Sequence, residues 1–173
     1  DTVSVNQKHT SLPAEASDKI ISKFDKIRFS DGGKPTAEIR NEMQLIMQNH
    51  AGVFRTEKTL KKGIEKLATT LESFNGVSVS DKGLIWNTDL IETFELENLL
   101  EQAMITMQCA LKREETRGAH ARDDFPERDD ENWLKHSLGW LNADNTTRID
   151  SQPVKLDTRT DEIESIPLKT RVY

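Results

Sequence analysis

Apolar residues recur along this chain at spacings of three and four, the period that places side chains on one face of a helix. The first run, Ala16, Ile20, Phe24 and Ile27, predicts a helix that starts near Pro13 and ends at Asp31-Gly32-Gly33, where glycine takes up the left-handed backbone of a helix stop. Pro35, well tolerated in a first helical turn, opens a second helix with the seam Ile39, Met43, Ile46, His50 and Val53. A third follows on Leu60, Ile64, Leu67, Leu71 and Phe74, stopped by Gly76. Only residues 52–59 separate these two seams, so the helices are expected to run antiparallel. After an irregular stretch over 76–88, Asn87, Thr88 and Asp89 are all available as caps, with Glu92 as a box partner for Asp89. The fourth helix is the longest, using Phe94, Leu96, Leu99, Leu100, Ala103, Met107, Ala110 and Leu111, and is expected to run until Gly118.

The expected fold is therefore mainly α. Helices two to four, each of about 18 to 28 residues, form an antiparallel three-helix bundle of spectrin-repeat-like shape. A small irregular α+β tail follows, in which 135–141 and 147–156 read as strands joined by a polar turn at 142–146. Pro153 places the second strand at an edge, because proline cannot donate to a ladder. The chain divides into a lead-in and first helix (1–34), the bundle (35–117), and a charged loop with the β-containing tail (118–173). Residues 1–10 are polar and aperiodic and read as a loose lead-in.

Composition narrows the functional classes. Leu, Ile, Val and Phe supply 41 of 173 residues, above the roughly 20% below which charged chains stay disordered. The net charge of −6 is spread evenly along the chain and leaves no basic footprint for nucleic acid. No apolar run approaches the roughly 18 to 20 residues that cross a bilayer, so direct membrane insertion is not expected. Cys109 stands alone, which excludes an internal disulfide or a four-cysteine zinc site and suits a reducing compartment. Residue 1 is Asp and no apolar signal region follows it, so the chain is expected to begin inside something larger, as a processed protein or a piece of a longer polypeptide, and to be soluble when isolated.

Candidate chemistry is sparse. His9, His50, His120 and His136 show no paired metal spacing, and His50 falls on a core seam. No Gly-rich phosphate loop and no nucleophile elbow occurs. No catalytic, cofactor-binding or metal-ligating residue is therefore assigned. One segment stands out, because 13 of the 20 residues over 112–131 are charged, 5 basic and 8 acidic. Gly118 and Pro126 keep it from being helical, its signs are interleaved, and Phe125 and Trp133 punctuate it. Such a loop can lay guanidinium forks against carboxylates. Exposed pairs are worth about 0 to 1 kcal/mol, whereas breaking a buried one costs about 3 to 5 kcal/mol, so only burial would justify so many charges. A bundle this small has little interior to spare. The expectation is a docking surface against another domain or subunit, formed by Arg117, His120, Arg122, Asp123, Phe125, Arg128 and Asp129, in which Arg122→Ala weakens association far more than it destabilises the helices; a solvated charge run and a catalytic loop are the alternatives.

The stretch Glu115-Thr116-Arg117-Gly118-Ala119-His120-Ala121-Arg122-Asp123-Asp124-Phe125-Pro126-Glu127-Arg128-Asp129-Asp130 resembles a motif of the succinate dehydrogenase flavoprotein family. So do Met47-Gln48-Asn49-His50-Ala51-Gly52-Val53-Phe54-Arg55, Trp86-Asn87-Thr88-Asp89-Leu90-Ile91-Glu92-Thr93, Glu97-Asn98-Leu99, Asn132-Trp133-Leu134-Lys135-His136 and the closing Arg171-Val172-Tyr173. Thr116 stands where the family usually has serine, and Ser151-Gln152-Pro153-Val154 departs from its tail wording. The resemblance implies the C-terminal helical domain of an enzyme that oxidises succinate to fumarate through FAD and passes electrons to an iron-sulfur subunit and quinone. It also implies that the FAD and dicarboxylate sites lie in upstream FAD and capping domains, against which this part docks. The implied location is the cytoplasmic face of a bacterial inner membrane or the mitochondrial matrix side. The alternatives are the corresponding part of a fumarate reductase or L-aspartate oxidase, and a free-standing helical interaction module.

Overall fold

A computed structural model describes residues 11–142 and 144–169. The lead-in over 1–10, with His9, and the closing Arg171-Val172-Tyr173 lie outside the described residues. Four substantial helices dominate: α1 (Asp18–Arg28), α2 (Thr36–His50), α3 (Glu57–Ser73) and α4 (Thr88–Lys112). Between and after them come short strands β1 (Lys34–Pro35), β2 (Phe54–Arg55), β3 (Val77–Ser78) and β4 (Ala121–Arg122), a four-residue helix α5 (Asp130–Trp133), and the hairpin strands β5 (Lys135–Leu141) and β6 (Thr147–Pro153). The described chain is thus mainly α, with three two-stranded sheets.

Helices α2, α3 and α4 pack on one another around Ile39, Leu60, Leu67, Leu96, Leu100 and Met107, all fully buried. Their close approach is visible at Gly63, where a Cβ would lie 2.6 Å from the His50 Cβ and 2.6 Å from the Met107 Sδ. One buried polar contact lies within this interior. The Thr93 hydroxyl donates to the Asp89 carbonyl at 2.8 Å, and Thr36 bonds Thr93 at 2.6 Å, so both hydroxyls are satisfied. Helix α1 lies across α4, with Phe24 stacked on Phe94 at 5.3 Å and Lys23 paired to Glu97 at 2.8 Å.

The helix boundaries depart from the periodic reading where tertiary partners intervene. Helix α1 stops at Arg28, ahead of the glycines, and starts five residues after Pro13. Its seam is only half buried, with Ile27 inside and Ile20 exposed. Helix α2 ends at His50, which leaves Val53 outside the helix and in solvent. Among the three candidate caps, Asn87 is the one used, its side-chain oxygen accepting the Leu90 N–H at 2.8 Å. Asp89 turns back instead and accepts the amides of Ser80 and Asp81. Helix α4 ends at Lys112, six residues before the glycine expected to stop it.

Two parallel two-residue pairings tie distant loops together, β1 with β3 and β2 with β4. The hairpin β5–β6 pairs Lys135 with Pro153 at one end and Leu141 with Thr147 at the other, so proline sits at the terminus of its strand. Strand β5 lies against α4, where Gly139 faces Ile105 and Cys109. Burial pushes the Cys109 thiol up, which keeps it protonated and unreactive.

Candidate functional site

The last carbonyls of an α-helix have no intrahelical donor and need one from elsewhere. In α4 the donor is Arg122, whose Nη1 reaches the carbonyls of Ala110 and Leu111 at 3.0 Å and of Arg113 at 3.1 Å. The same guanidinium grips Asp124 with two parallel bonds, Nε to Oδ1 at 2.7 Å and Nη2 to Oδ2 at 2.9 Å, and lies over the Phe125 ring at 4.9 Å. Asp124 in turn accepts the N–H of Glu57, the first residue of α3, at 2.6 Å. A cation therefore sits at the C-terminus of α4 and its anion at the N-terminus of α3, each where the helix dipole favours it. The bonds from Arg122 hold the Asp124 carboxyl at about 2, well below the usual carboxylate range.

A second buried charge sits beside the first. Glu115 is 0% exposed and accepts from Arg113, from Arg117 Nε at 2.8 Å and Nη2 at 3.0 Å, and from the Asp129 amide at 3.0 Å. Burial pushes its carboxyl upward, but the bonds from Arg117, the Asp129 amide and Arg113 together hold it below its ordinary value. Arg117 also pairs with Asp130 at 2.6 Å, and Arg128 takes the other oxygen of Asp130 at 2.8 Å. Asp129 caps α5 by accepting the amides of Glu131 and Asn132. Gly118, at φ 58°, lets the chain reverse so that Arg117 and His120 exchange main-chain hydrogen bonds.

His120 joins this loop to the turn between α2 and α3. Its Nδ1 accepts from Arg55 Nη1 at 2.9 Å and its Nε2–H donates to the Arg113 carbonyl at 3.1 Å, an assignment the partners dictate. Burial, then the neighbouring guanidiniums, keep the ring neutral, with its pKa below the ordinary histidine value. Both nitrogens are engaged in holding the loop. An open cleft of about 510 Å³ lies alongside, lined by Arg113, Arg117, His120 and Trp133, but its arginines are already taken by Glu115, Asp130 and main-chain carbonyls. Among the described residues, no group of three or more His, Cys, Asp or Glu could hold a metal ion.

Of the residues expected to dock, Arg117, His120, Arg122, Phe125, Arg128 and Asp129 fall into one connected cluster, while the Asp123 carboxylate makes no ion pair among the described residues. The premise that this chain lacks interior for charge does not hold for Arg122, which is 1% exposed and satisfied within its own chain. Five members of the cluster, Arg55, Arg113, Glu115, Asp124 and Asp130, are absent from the expected set. Glu115 stands two residues from both Arg113 and Arg117, and Asp124 two from Arg122, a spacing that could have signalled them. Arg55 enters only as the last residue of the stretch Met47–Arg55 that carries the resemblance, and no charge pattern around it points to His120.

Among the described residues no helix is long and apolar enough to cross a membrane. Comparison with known proteins agrees along the chain. It is 49% identical over 174 residues to the mitochondrial succinate dehydrogenase [ubiquinone] flavoprotein subunit of Oryza sativa subsp. japonica, covering 100% of this chain and 27% of that protein. It is 46% identical to the succinate dehydrogenase flavoprotein subunit of Rickettsia bellii, over 95% of this chain and 28% of that one. The chain thus spans little more than a quarter of the length of these relatives. A quinol-fumarate reductase structure with menaquinol superimposes with a TM-score of 0.79 at 36% identity, covering 88% of this chain and 27% of its own. The family described as fumarate reductase flavoprotein C-term matches residues 40–173, and the chain belongs to that family.

Proposed function

We propose that this chain is the C-terminal domain of an FAD-dependent succinate dehydrogenase flavoprotein, a subunit that oxidises succinate to fumarate and passes electrons to an iron-sulfur subunit and quinone. The observation that carries the reading is the match along the whole chain to proteins named as succinate dehydrogenase flavoprotein subunits. The residues described here do not fit a flavin. The sequence offers no phosphate cradle, and the arginines beside the cleft are spent on internal carboxylates and carbonyls. FAD and the dicarboxylate site are accordingly assigned to the FAD and capping domains of the same polypeptide, and this part contributes structure and docking. The parent would work at the cytoplasmic face of a bacterial inner membrane or on the matrix side of a mitochondrial one.

In this reading α2, α3 and α4 form an antiparallel three-helix bundle spanning 35–117, preceded by 1–34 and followed by the loop and tail of 118–173. Their mutual packing around Gly63 and Met107 supports it. The docking role assigned to the charged loop passes chiefly to its solvent-facing members, Asp123 and Arg128, while Arg122 acts inside. A fumarate reductase parent is the second reading, favoured by the family description. The test is to express the complete polypeptide that contains these residues. Bound flavin with succinate-dependent dye reduction supports the proposal. A polypeptide without a dinucleotide-binding domain or flavin contradicts it, and faster fumarate reduction than succinate oxidation favours the second reading.

A further inference from the structure

Trp86 is 94% exposed, and the two residues before it, Ile85 and Leu84, are 82% and 64% exposed. Three consecutive large apolar side chains in solvent mark a surface meant to be covered. The segment that carries them is firmly held. Behind it, Asn87 Nδ2 donates to the carbonyls of Asp81 at 2.6 Å and Gly83 at 2.9 Å. The Asp89 carboxylate accepts the Ser80 amide at 2.7 Å and the Asp81 amide at 3.1 Å. Arg28 Nε bonds the Lys82 carbonyl at 2.6 Å, and Lys82 Nζ bonds the Ser30 carbonyl at 2.7 Å. Trp86 itself sits at φ 52°, a left-handed conformation that a bulky residue keeps only when its surroundings impose it. In the stretch Trp86-Asn87-Thr88-Asp89, the cap explains Asn87 and the loop anchor explains Asp89. Trp86 serves nothing within the described residues.

We propose that Leu84, Ile85 and Trp86 form a preorganised anchor that seats this chain against the remainder of its own flavoprotein polypeptide, with the indole filling an apolar pocket there. The inference rests on the parent assigned above and adds the surface of contact. Two observations favour the same polypeptide over a separate subunit or a second copy. Relatives of this chain are nearly four times its length, so in such a protein most of the polypeptide is covalently tied to it and present at high effective concentration. The entry point is also near. Helix α1 has 11 residues, a length of about 16 Å, and the side chain of its last residue bonds the Lys82 carbonyl, so α1 begins about one helix length and one arginine side chain away from the loop that carries the knob. The charged cluster lies at the other end of α4, whose 25 residues span about 37 Å, so anchor and cluster are far enough apart to fix an orientation.

The test uses the complete flavoprotein with a photo-crosslinking benzophenone amino acid at position 86 and, in a second sample, at position 85. After irradiation, peptide mass spectrometry is expected to find the adduct on a peptide of the same polypeptide outside these 173 residues. The variant I85D is expected to lose the adduct at position 86. Adducts on another subunit or a second copy, or none at either position, overturn the anchor. The flavin spectrum of the same sample separates the two claims. A polypeptide without flavin overturns both, whereas a flavin-loaded one that crosslinks elsewhere leaves the parent standing and removes only the anchor.

Discussion

Arg122 is a guanidinium with 1% exposure, bonded to the Asp124 carboxylate and to the last carbonyls of α4. Removing it leaves the last carbonyls of α4 without their donor and a solvent-exposed Asp124 without its partner, so the loss is that of buried carbonyls left unsatisfied, about 1 to 3 kcal/mol, rather than that of a stranded buried charge. Arg122→Ala is therefore expected to lower the unfolding free energy of this chain by about that much in urea titrations, and Arg122→Lys to recover only part, since an ammonium cannot make the forked bond. A loss under about 1 kcal/mol would class the pair with exposed ones. His120 gives a pH signature. Its pKa is lowered in the folded chain, so the unfolded chain binds more protons just below the ordinary value of 6.5. The associated stability is complete above about 6.5 and is lost as the pH falls toward the folded value. His120→Gln is expected to flatten that slope in denaturation curves taken between pH 7.5 and about 5. His50, also lowered chiefly by burial, contributes a slope of the same sign that the single replacement leaves in place.

At the scale of elements, the seams of α3 and the bounds of β5 were legible because local pattern and tertiary burial agree there. Leu60, Leu67, Leu71 and Phe74 all turn inward, and the strand predicted over 135–141 is the strand observed. Periodicity says which residues share a face but not how far a neighbour covers it, which is why Ile20 and Val53 were placed on buried seams and stand in solvent. The stop of α4 was missed for a related reason. Its donor comes from Arg122, ten residues beyond the helix end, rather than from a local glycine. The two-residue pairings β1–β3 and β2–β4 carry no periodic signal at all. The charged segment was legible as an ion-pair loop from its interleaved signs, whereas its burial and its link to Arg55 depend on the fold. Two substitutions probe this packing. Gly63→Ala forces a Cβ against His50 and Met107 and is expected to cost about 1 to 3 kcal/mol in thermal or chemical unfolding. Asn87→Ala removes the cap of α4 and is expected to cost about 1 kcal/mol, while Asp89→Ala leaves the cap and loosens the loop over 80–83, seen as faster amide exchange there.

At the scale of the molecule, the helices bring together two ends with different work. One end carries a closed network of charge that ties α3, α4 and the turn after α2. The other carries a rigid apolar knob with no partner among the described residues. In the proposed parent the chemistry is assigned to the rest of the polypeptide, and these two ends to holding the domain together and in place. The most direct measurement is succinate-dependent dye reduction by the complete flavoprotein in which His50, His120 and His136 are replaced together, with flavin content as the check on folding. The account predicts turnover within a few-fold of the unmodified protein once normalised to flavin. A flavin-loaded protein that has lost about a hundredfold or more, the scale of an acid-base group, would contradict it.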